Sequence, residues 1–369
     1  MINKDRQQLF VSDDIRSAET LPSDFYFNED LYEASKKSIF ADSWHFVGKT
    51  REIFSGDTTT YPFFLYEKFL AEPLLLTRDT TDTIRCLSNV CTHRAFLLGH
   101  HPTTQKKITC AYHGRRFDLD GTMEFMPEFK NTFDFPRPCD HLTSLPLNEW
   151  EGFLFTSVTP AIDFEQMTSI LNDRLSFLNI SQFRYAPEYD KIYNVHAHWA
   201  LYCDNYLEGF HIPFVHNKLG SMIDYGSYET ICYEDMNVQI GYAKGGTPVF
   251  KLPIGHIDYG KKVSAYYYWL FPNLMLNFYP WGLQVNVVEP ISPSFTKVHF
   301  YHYIKDESLW QMMEGEDVAE KTQREDEWVV EGVQKGLKSR FYNTGRFSPT
   351  REQGVHHFHG LLAKYLKRD

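Results

Sequence analysis

The stretch 204–216, Asp-Asn-Tyr-Leu-Glu-Gly-Phe-His-Ile-Pro-Phe-Val-His, has the residue types and spacing to hold a metal ion. Glu208 stands three residues before His211, and His216 five after it. Imidazoles held beside acids offer nitrogen ligands to a cation. Two His and one carboxylate around open positions form the site in which non-haem Fe(II) handles O2. On a single helix, Asp204, Glu208 and His211 fall at i, i+4 and i+7 and share one face. Pro213 lacks an N–H and clashes with the preceding turn. The helix is therefore expected to end near His211, with the chain bending to bring His216 back toward it. The competing reading is that two histidines near a helix end only cap or pack.

A second constellation lies upstream. Cys91-Thr92-His93 is followed by Cys110-Ala111-Tyr112-His113, so each of two arms supplies one thiol and one imidazole. Zinc takes two Cys and two His tetrahedrally, usually with both Cys in one arm and both His in the other. The mixed order suits a Rieske [2Fe–2S] centre, in which two Cys hold one iron and two His the other. Structural zinc is the main alternative.

These residues must be positioned by a chain of 369 residues, enough for about two domains. Hydrophobic residues make up 43%, sufficient for a sizeable core, and 30 Phe with 23 Tyr suit aromatic pocket walls as well as plain packing. The net charge of −11 with no basic run argues against a nucleic-acid partner, because phosphate binding needs clustered Lys and Arg. Met1 to Asp14 carry both signs of charge and no apolar run, so no signal peptide is expected. No apolar run reaches the length of a membrane span. Cys86, Cys91, Cys110, Cys139, Cys203 and Cys232 are expected as reduced thiols, some on metal.

A short helix capped near Asn28 opens the chain. Short β runs at 58–66, 74–78 and 83–87 follow, with a tight hairpin at Asp120-Gly121. Residues 162–182 have helical spacing, and a strand at 191–198, carrying His196 and His198 on one face, feeds the central helix. Strands are then expected at 228–238, 263–270, 274–279, 282–288 and 297–304. Consecutive strands without helices between them make an antiparallel sheet. Helices at about 315–338 and 354–366 close the chain. Setting out from Asp326, the positions i+4, i+7 and i+11 are Val330, Val333 and Leu337, so Asp326 falls on an apolar face while Glu325, Glu327 and Glu331 point elsewhere. An inward carboxylate must be paired or bind a metal.

The arms Cys-Thr-His-Arg and Cys-Ala-Tyr-His-Gly, together with 205–216, resemble the Rieske non-haem iron oxygenase α subunits of the aromatic-ring-hydroxylating dioxygenase family. The resemblance covers most of the chain. It implies an α+β protein with three parts: an N-terminal segment (1–43), a small all-β Rieske domain (44–155) and a catalytic domain (156–369) whose antiparallel sheet wraps a long C-terminal helix in a helix-grip, START-like arrangement. It implies a [2Fe–2S] cluster on Cys91, His93, Cys110 and His113, and mononuclear non-haem Fe(II) on His211, His216 and Asp326, with Glu325 as the fallback ligand. Glu208 takes the place of the acid that, in the family, bridges to a Rieske His of the neighbouring subunit. A Glu there resembles the carnitine, choline and betaine monooxygenase branch.

The implied activity is that of a cytoplasmic terminal oxygenase, a homotrimer using O2 and a small organic substrate. With no dinucleotide fingerprint in the chain, electrons come from a separate flavin- and NAD(P)H-dependent reductase, with or without a ferredoxin. Mono-oxygenation of a quaternary ammonium compound is favoured because of Glu208; aromatic cis-dihydroxylation is the alternative, and a Rieske carrier or ligand-binding protein without active iron is the alternative of another class. Tyr206, Phe210 and Trp281 are candidates for the pocket wall. The chain departs from the usual Rieske loops at Thr92 and Ala95, where Pro and Gly are common, and at Arg115, where Trp is common. None of the three is a ligand; they bear on the potential and the docking surface.

Overall fold

The computed structural model describes residues 9–216, 219–313 and 315–367. The chain divides into two compact units: one is Ala41–Ala161, and the other joins the residues up to Phe40 with those from Ile162 onward. Part of the leader stretch read above lies outside the described residues.

The first unit is built from three small antiparallel sheets. Its core gathers Leu75, Leu87, Ile108, Phe117, Met123 and Leu142 around Cys91 and Cys110. The expected Asp120-Gly121 hairpin is present: Gly121 takes φ +89°, a conformation that glycine adopts freely, and joins Arg116–Phe117 to Met123–Phe125.

The second unit is an eight-stranded antiparallel sheet that receives helices. Its long inner strands, Val263–Leu270, Leu274–Tyr279, Gly282–Ser292 and Phe295–Ile304, pair in sequence order. The run 228–238 is two strands rather than one, Glu229–Cys232 and Met236–Tyr242. Tyr233 N–H donates to Met236 O across the turn, and Glu234 and Asp235 occupy it. Polar turn formers therefore override the β propensity of their neighbours.

The strand Lys191–Val195 ends before the two histidines expected on it. His196 is exposed, while His198 caps the helix Trp199–Tyr206 by accepting from Ala200 N–H through Nδ1. Burial pushes the His198 pKa down to about 3, so the cap is neutral.

The long helix Gly315–Gly336 lies against this central helix and is tied to it by polar side chains. Gln334 and Glu331 accept the backbone N–H groups of His198 and His196 at 3.0 Å each, and Tyr202 Oη–H donates to Gln323 at 2.8 Å. Val330 and Leu337 are buried as expected, but Val333 is 43% exposed and Glu327 is buried. The inward face runs through Gln323, Glu327, Val330, Gln334 and Leu337, which places Asp326 at its border. The apolar spacing from Asp326 misses the centre of this face because three of its five residues, Gln323, Glu327 and Gln334, are polar.

A buried ion pair anchors the loop after Phe250 to the helix Phe164–Leu175. Asp258, 1% exposed, lies 3.1 Å from Arg174 Nε and also accepts from Lys261 Nζ at 2.9 Å and Tyr266 Oη at 3.1 Å. Removing one partner of a buried pair strands the other charge. Asp258→Ala is therefore expected to destabilise this unit by about 3–5 kcal/mol in denaturant unfolding followed by tryptophan fluorescence. A change below about 1 kcal/mol, the level of an exposed pair, would contradict it.

Candidate metal centres

The helix Trp199–Tyr206 stops earlier than the spacing predicted, with Leu207 as its C-cap. Glu208 lies beyond the helix, and its Oε2 accepts the backbone N–H of Phe210 and, at 3.0 Å, of His211. Side-chain acceptors that take local N–H groups compete with helix continuation. Gly209 fits under the Tyr228 ring, where an added Cβ would come to 2.7 Å. A new short helix, Ile212–Val215, then begins with His211 as N-cap and Pro213 in its first turn. Pro213 thus starts a helix instead of ending one, because the first-turn N–H it lacks has no partner in any helix.

Asp204, Glu208 and His211 consequently do not share a helix face. Asp204 turns instead to the C-terminal helix, where its Oδ1 lies 2.9 Å from His359 Nε2 and its Oδ2 accepts from Tyr26 Oη. His359 lies on the C-terminal helix Gln353–Tyr365 and packs beside the central helix through that bond.

The bend gathers His211, His216 and Asp326, with one ligand atom of each inside a 4.8 Å span. Asp326 Oδ1 is 2.9 Å from His216 Nε2 and 3.6 Å from His211 Nε2, and it accepts from Asn205 Nδ2 at 2.8 Å. The imidazole planes stand at 78° with centroids 5.0 Å apart. Each imidazole also holds its other nitrogen against a carboxylate: His211 Nδ1 lies 2.6 Å from Glu208 Oε1, and His216 Nδ1 lies 2.8 Å from Glu325 Oε2. A carboxylate can only accept, so Nδ1 carries the proton and both Nε2 atoms turn to Asp326.

Burial opposes charge on His216, but Asp326 and Glu325 together outweigh it and raise its pKa above the ordinary value. Two imidazole nitrogens and one carboxylate oxygen, converging within 4.8 Å, are a donor set that fits a divalent cation. Glu325, expected as a fallback ligand, lies against His216 Nδ1, and Asn205, singled out by no spacing rule, donates to Asp326 Oδ1, so both stand where they would support the three candidate ligands. Carboxylates behind ligating histidines fix the tautomer and raise basicity. Glu325→Gln is expected to weaken Fe(II) binding about 10–100-fold in an anaerobic metal titration. Unchanged affinity would leave Glu325 without that role.

The upstream arms fold as two matching turns. Ala95 N–H donates to Cys91 O at 2.9 Å, and Gly114 N–H donates to Cys110 O at 3.0 Å. Both turns need positive φ, +54° at Ala95 and +73° at Gly114. A Cβ in that conformation costs about 1–2 kcal/mol, which accounts for a glycine at such a position and a strained Ala here. Cys91 and Cys110 are each 2% exposed, and the His93 and His113 rings lie 4.8 Å apart. His93 Nδ1 is buried with no hydrogen-bond partner among the described residues. An orphaned buried nitrogen is costly unless it meets a ligand, so these four residues fit an iron–sulfur centre. Burial lowers the His93 pKa, and the charges of His113 and Arg115 add to it.

A cavity of about 180 Å³ opens beside Asp326, with Tyr202, Tyr206, Tyr267, Tyr279 and Phe300 in its wall. A second, of about 120 Å³, holds His211, His216 and Glu208 and shares four of those tyrosines. Tyr206 lines both, as expected. Phe210 is exposed at 40% and lines neither cavity, and Trp281 is buried in a cluster with Tyr279 and Trp310. Tyr279 stands between Trp281 and the open space, which is why the larger ring contributes packing only.

The family model for the ring-hydroxylating α subunit catalytic domain matches residues 183–368, half of the chain, and that for the Rieske [2Fe–2S] domain matches residues 43–144. The chain belongs to the ring-hydroxylating α-subunit family. It is a Rieske-type oxygenase, an oxidoreductase whose two domains imply a [2Fe–2S] cluster and mononuclear iron and, with them, O2, an organic substrate and a reductase partner.

The carnitine monooxygenase oxygenase subunit of Escherichia coli (strain K12) is 29% identical over 371 residues, 95% of each chain. The chloroplastic choline monooxygenase of Arabidopsis thaliana is 28% identical over 96% of this chain and 84% of that protein. Among solved structures, a quaternary ammonium Rieske monooxygenase superposes with TM-score 0.76 at 25% identity, covering 95% of this chain and 96% of that one. Naphthalene 1,2-dioxygenase from Rhodococcus sp. shares the fold alone, with TM-score 0.68 at 16% identity over 94% and 93% of the two chains. No helix among the described residues is long and apolar enough to cross a membrane.

Proposed function

We propose that this Rieske oxygenase mono-oxygenates a quaternary ammonium compound, with His211, His216 and Asp326 as ligands of the mononuclear iron and Cys91, His93, Cys110 and His113 as ligands of the cluster. The observation that carries the substrate class is the cavity beside Asp326, whose wall presents four tyrosines and Phe300 together with the Asp326 carboxylate and, among the described residues, includes no Lys or Arg. Burial holds the Tyr202 and Tyr206 phenols well above their ordinary pKa, so they stay neutral and present π faces. A cation over such faces gains about 0.5–2 kcal/mol per ring when desolvated. The relatives named for carnitine and choline support the same class.

When bound, the iron supplies open positions at which O2 is activated, and the cluster stores and releases single electrons. The chain's own residues do the rest. Glu208 and Glu325 hold the Nδ1 protons of the two histidines, and Asn205 holds Asp326 in place. Tyr206 Oη–H donates to Asn277 Oδ1 at 2.7 Å, which fixes the plane of one cavity wall. The apolar ring faces exclude water from the substrate's carbon–hydrogen bonds.

The proposed assembly is a head-to-tail homotrimer in which Glu208 links His211 to His113 of the partner subunit. The domain limits 1–43, 44–155 and 156–369 and a cytoplasmic location, where thiol ligands stay reduced, complete the reading. The test is turnover with a reductase, NADH and a panel of betaines, carnitines, cholines and aromatic acids. Ammonium-dependent O2 uptake with an amine or aldehyde product is expected. Formation of an arene cis-diol with no response to any ammonium compound would overturn it.

A further inference from the structure

Two of the residues that depart from the usual Rieske loops touch each other. Arg115 Nη1–H donates to Thr92 Oγ1 at 2.6 Å, and Thr92 Oγ1–H donates to Asp140 O at 2.8 Å. Thr92 stands between Cys91 and His93, and Arg115 stands two residues after His113. The Arg115 carbonyl also accepts Cys110 N–H at 2.8 Å. One residue therefore holds both arms.

Its charge is buried as well. Arg115 is 2% exposed, and its guanidinium lies over the rings of Phe135 and Phe129 at 5.3 and 5.8 Å. Phe129 in turn meets the His93 ring edge-on at 5.6 Å. The counter-ion is loosely placed: Asp140 Oδ1 is 3.4 Å from Nη2, while its Oδ2 is taken by Arg137 N–H at 2.8 Å. Arg115 Nε has no partner among the described residues. A guanidinium never deprotonates in a protein, and burying one with an imperfect partner is costly. Such a cost is sustained where the charge acts on something nearby.

We infer that Arg115 is a positioning residue whose fixed positive charge raises the reduction potential of the Rieske centre held by Cys91, His93, Cys110 and His113. Reduction adds one electron, taken from the reductase, which is oxidised, and no bond forms or breaks. A cluster held by these four residues would take up the added negative charge beside the two arms that Arg115 ties together. In a poorly screened interior a nearby cation stabilises the reduced form more than the oxidised one. Trp at this position supplies bulk without charge, so this chain accepts electrons more readily than one with the usual loop. Thr92 serves as the acceptor that aims the guanidinium.

The inference rests on those four residues being the cluster ligands. It is tested by redox titration of the full-length protein, purified with its cluster and followed by circular dichroism and electron paramagnetic resonance. Arg115→Met and Arg115→Trp are expected to shift the midpoint potential to more negative values, Arg115→Lys to retain most of it, and Asp140→Asn, which removes the opposing charge, to shift it positive. A midpoint unchanged in the Met and Trp variants with a native cluster spectrum overturns the inference. Should the Met variant fail to hold a cluster, the Trp and Asn variants decide, and an Asp140→Asn midpoint at or below that of the parent also overturns it. A parent protein with no Rieske spectrum would overturn the ligand assignment instead.

Discussion

Asp326→Ala is expected to remove mononuclear iron and turnover together while leaving the visible spectrum of the Rieske centre intact. Asp326 Oδ1 is where His216 Nε2, His211 Nε2 and Asn205 Nδ2 meet, at 2.9, 3.6 and 2.8 Å. Without it, two neutral imidazoles remain and no carboxylate reaches the metal directly. The loss should exceed the roughly 10–100-fold that follows removal of a group behind a ligand. The upstream centre is unaffected, since Cys91 and Cys110 sit in a separate core. Elemental analysis with visible spectra checks both halves. Loss of the cluster along with the iron, or retention of full mononuclear iron, would refute the assignment.

Glu208→Gln is expected to keep both metals under excess Fe(II) yet slow single-turnover electron transfer about 10–100-fold, the range found when the outer partner of a metal-bound histidine is lost. Glu208 binds His211 Nδ1 through one oxygen and the local backbone through the other. Gln can keep one of these contacts, but its NH2 then faces an N–H that a carboxylate now accepts. The proposed bridge to His113 of the partner subunit loses its charge at the same time. Rapid-mixing measurements of cluster oxidation in the presence of substrate read this directly. Parent-like rates would rule the bridge out and leave Glu208 as an orienting acid only.

Comparing these two carboxylates shows what kind of information a sequence holds. Helical spacing and the resemblance both single out Asp326, although the inward face of its helix is centred elsewhere, with Val333 exposed and Glu327 buried. Glu208 was found as His211's partner for a reason that did not survive. It was expected on a shared helix face, yet it reaches His211 because the helix has already ended. Proximity of three residues along the chain sufficed for the contact, whatever the backbone did between them.

Local rules determined a good deal by themselves. The Cys-x-His and Cys-x-x-His arms, the His211–His216 pair, the Asn28 cap, the Asp120-Gly121 hairpin and the antiparallel run of strands all follow from short-range chemistry, and short-range chemistry is what spacing encodes. Tertiary structure alone decided which side chains meet across long separations. Glu325 behind His216, Asn205 on Asp326, Asp204 on His359, and Arg115 joined to Thr92 and Asp140 each join residues from different elements. No periodicity marks such pairs, because their contact depends on how helices and loops dock, and docking is set by the whole buried surface rather than by any one segment.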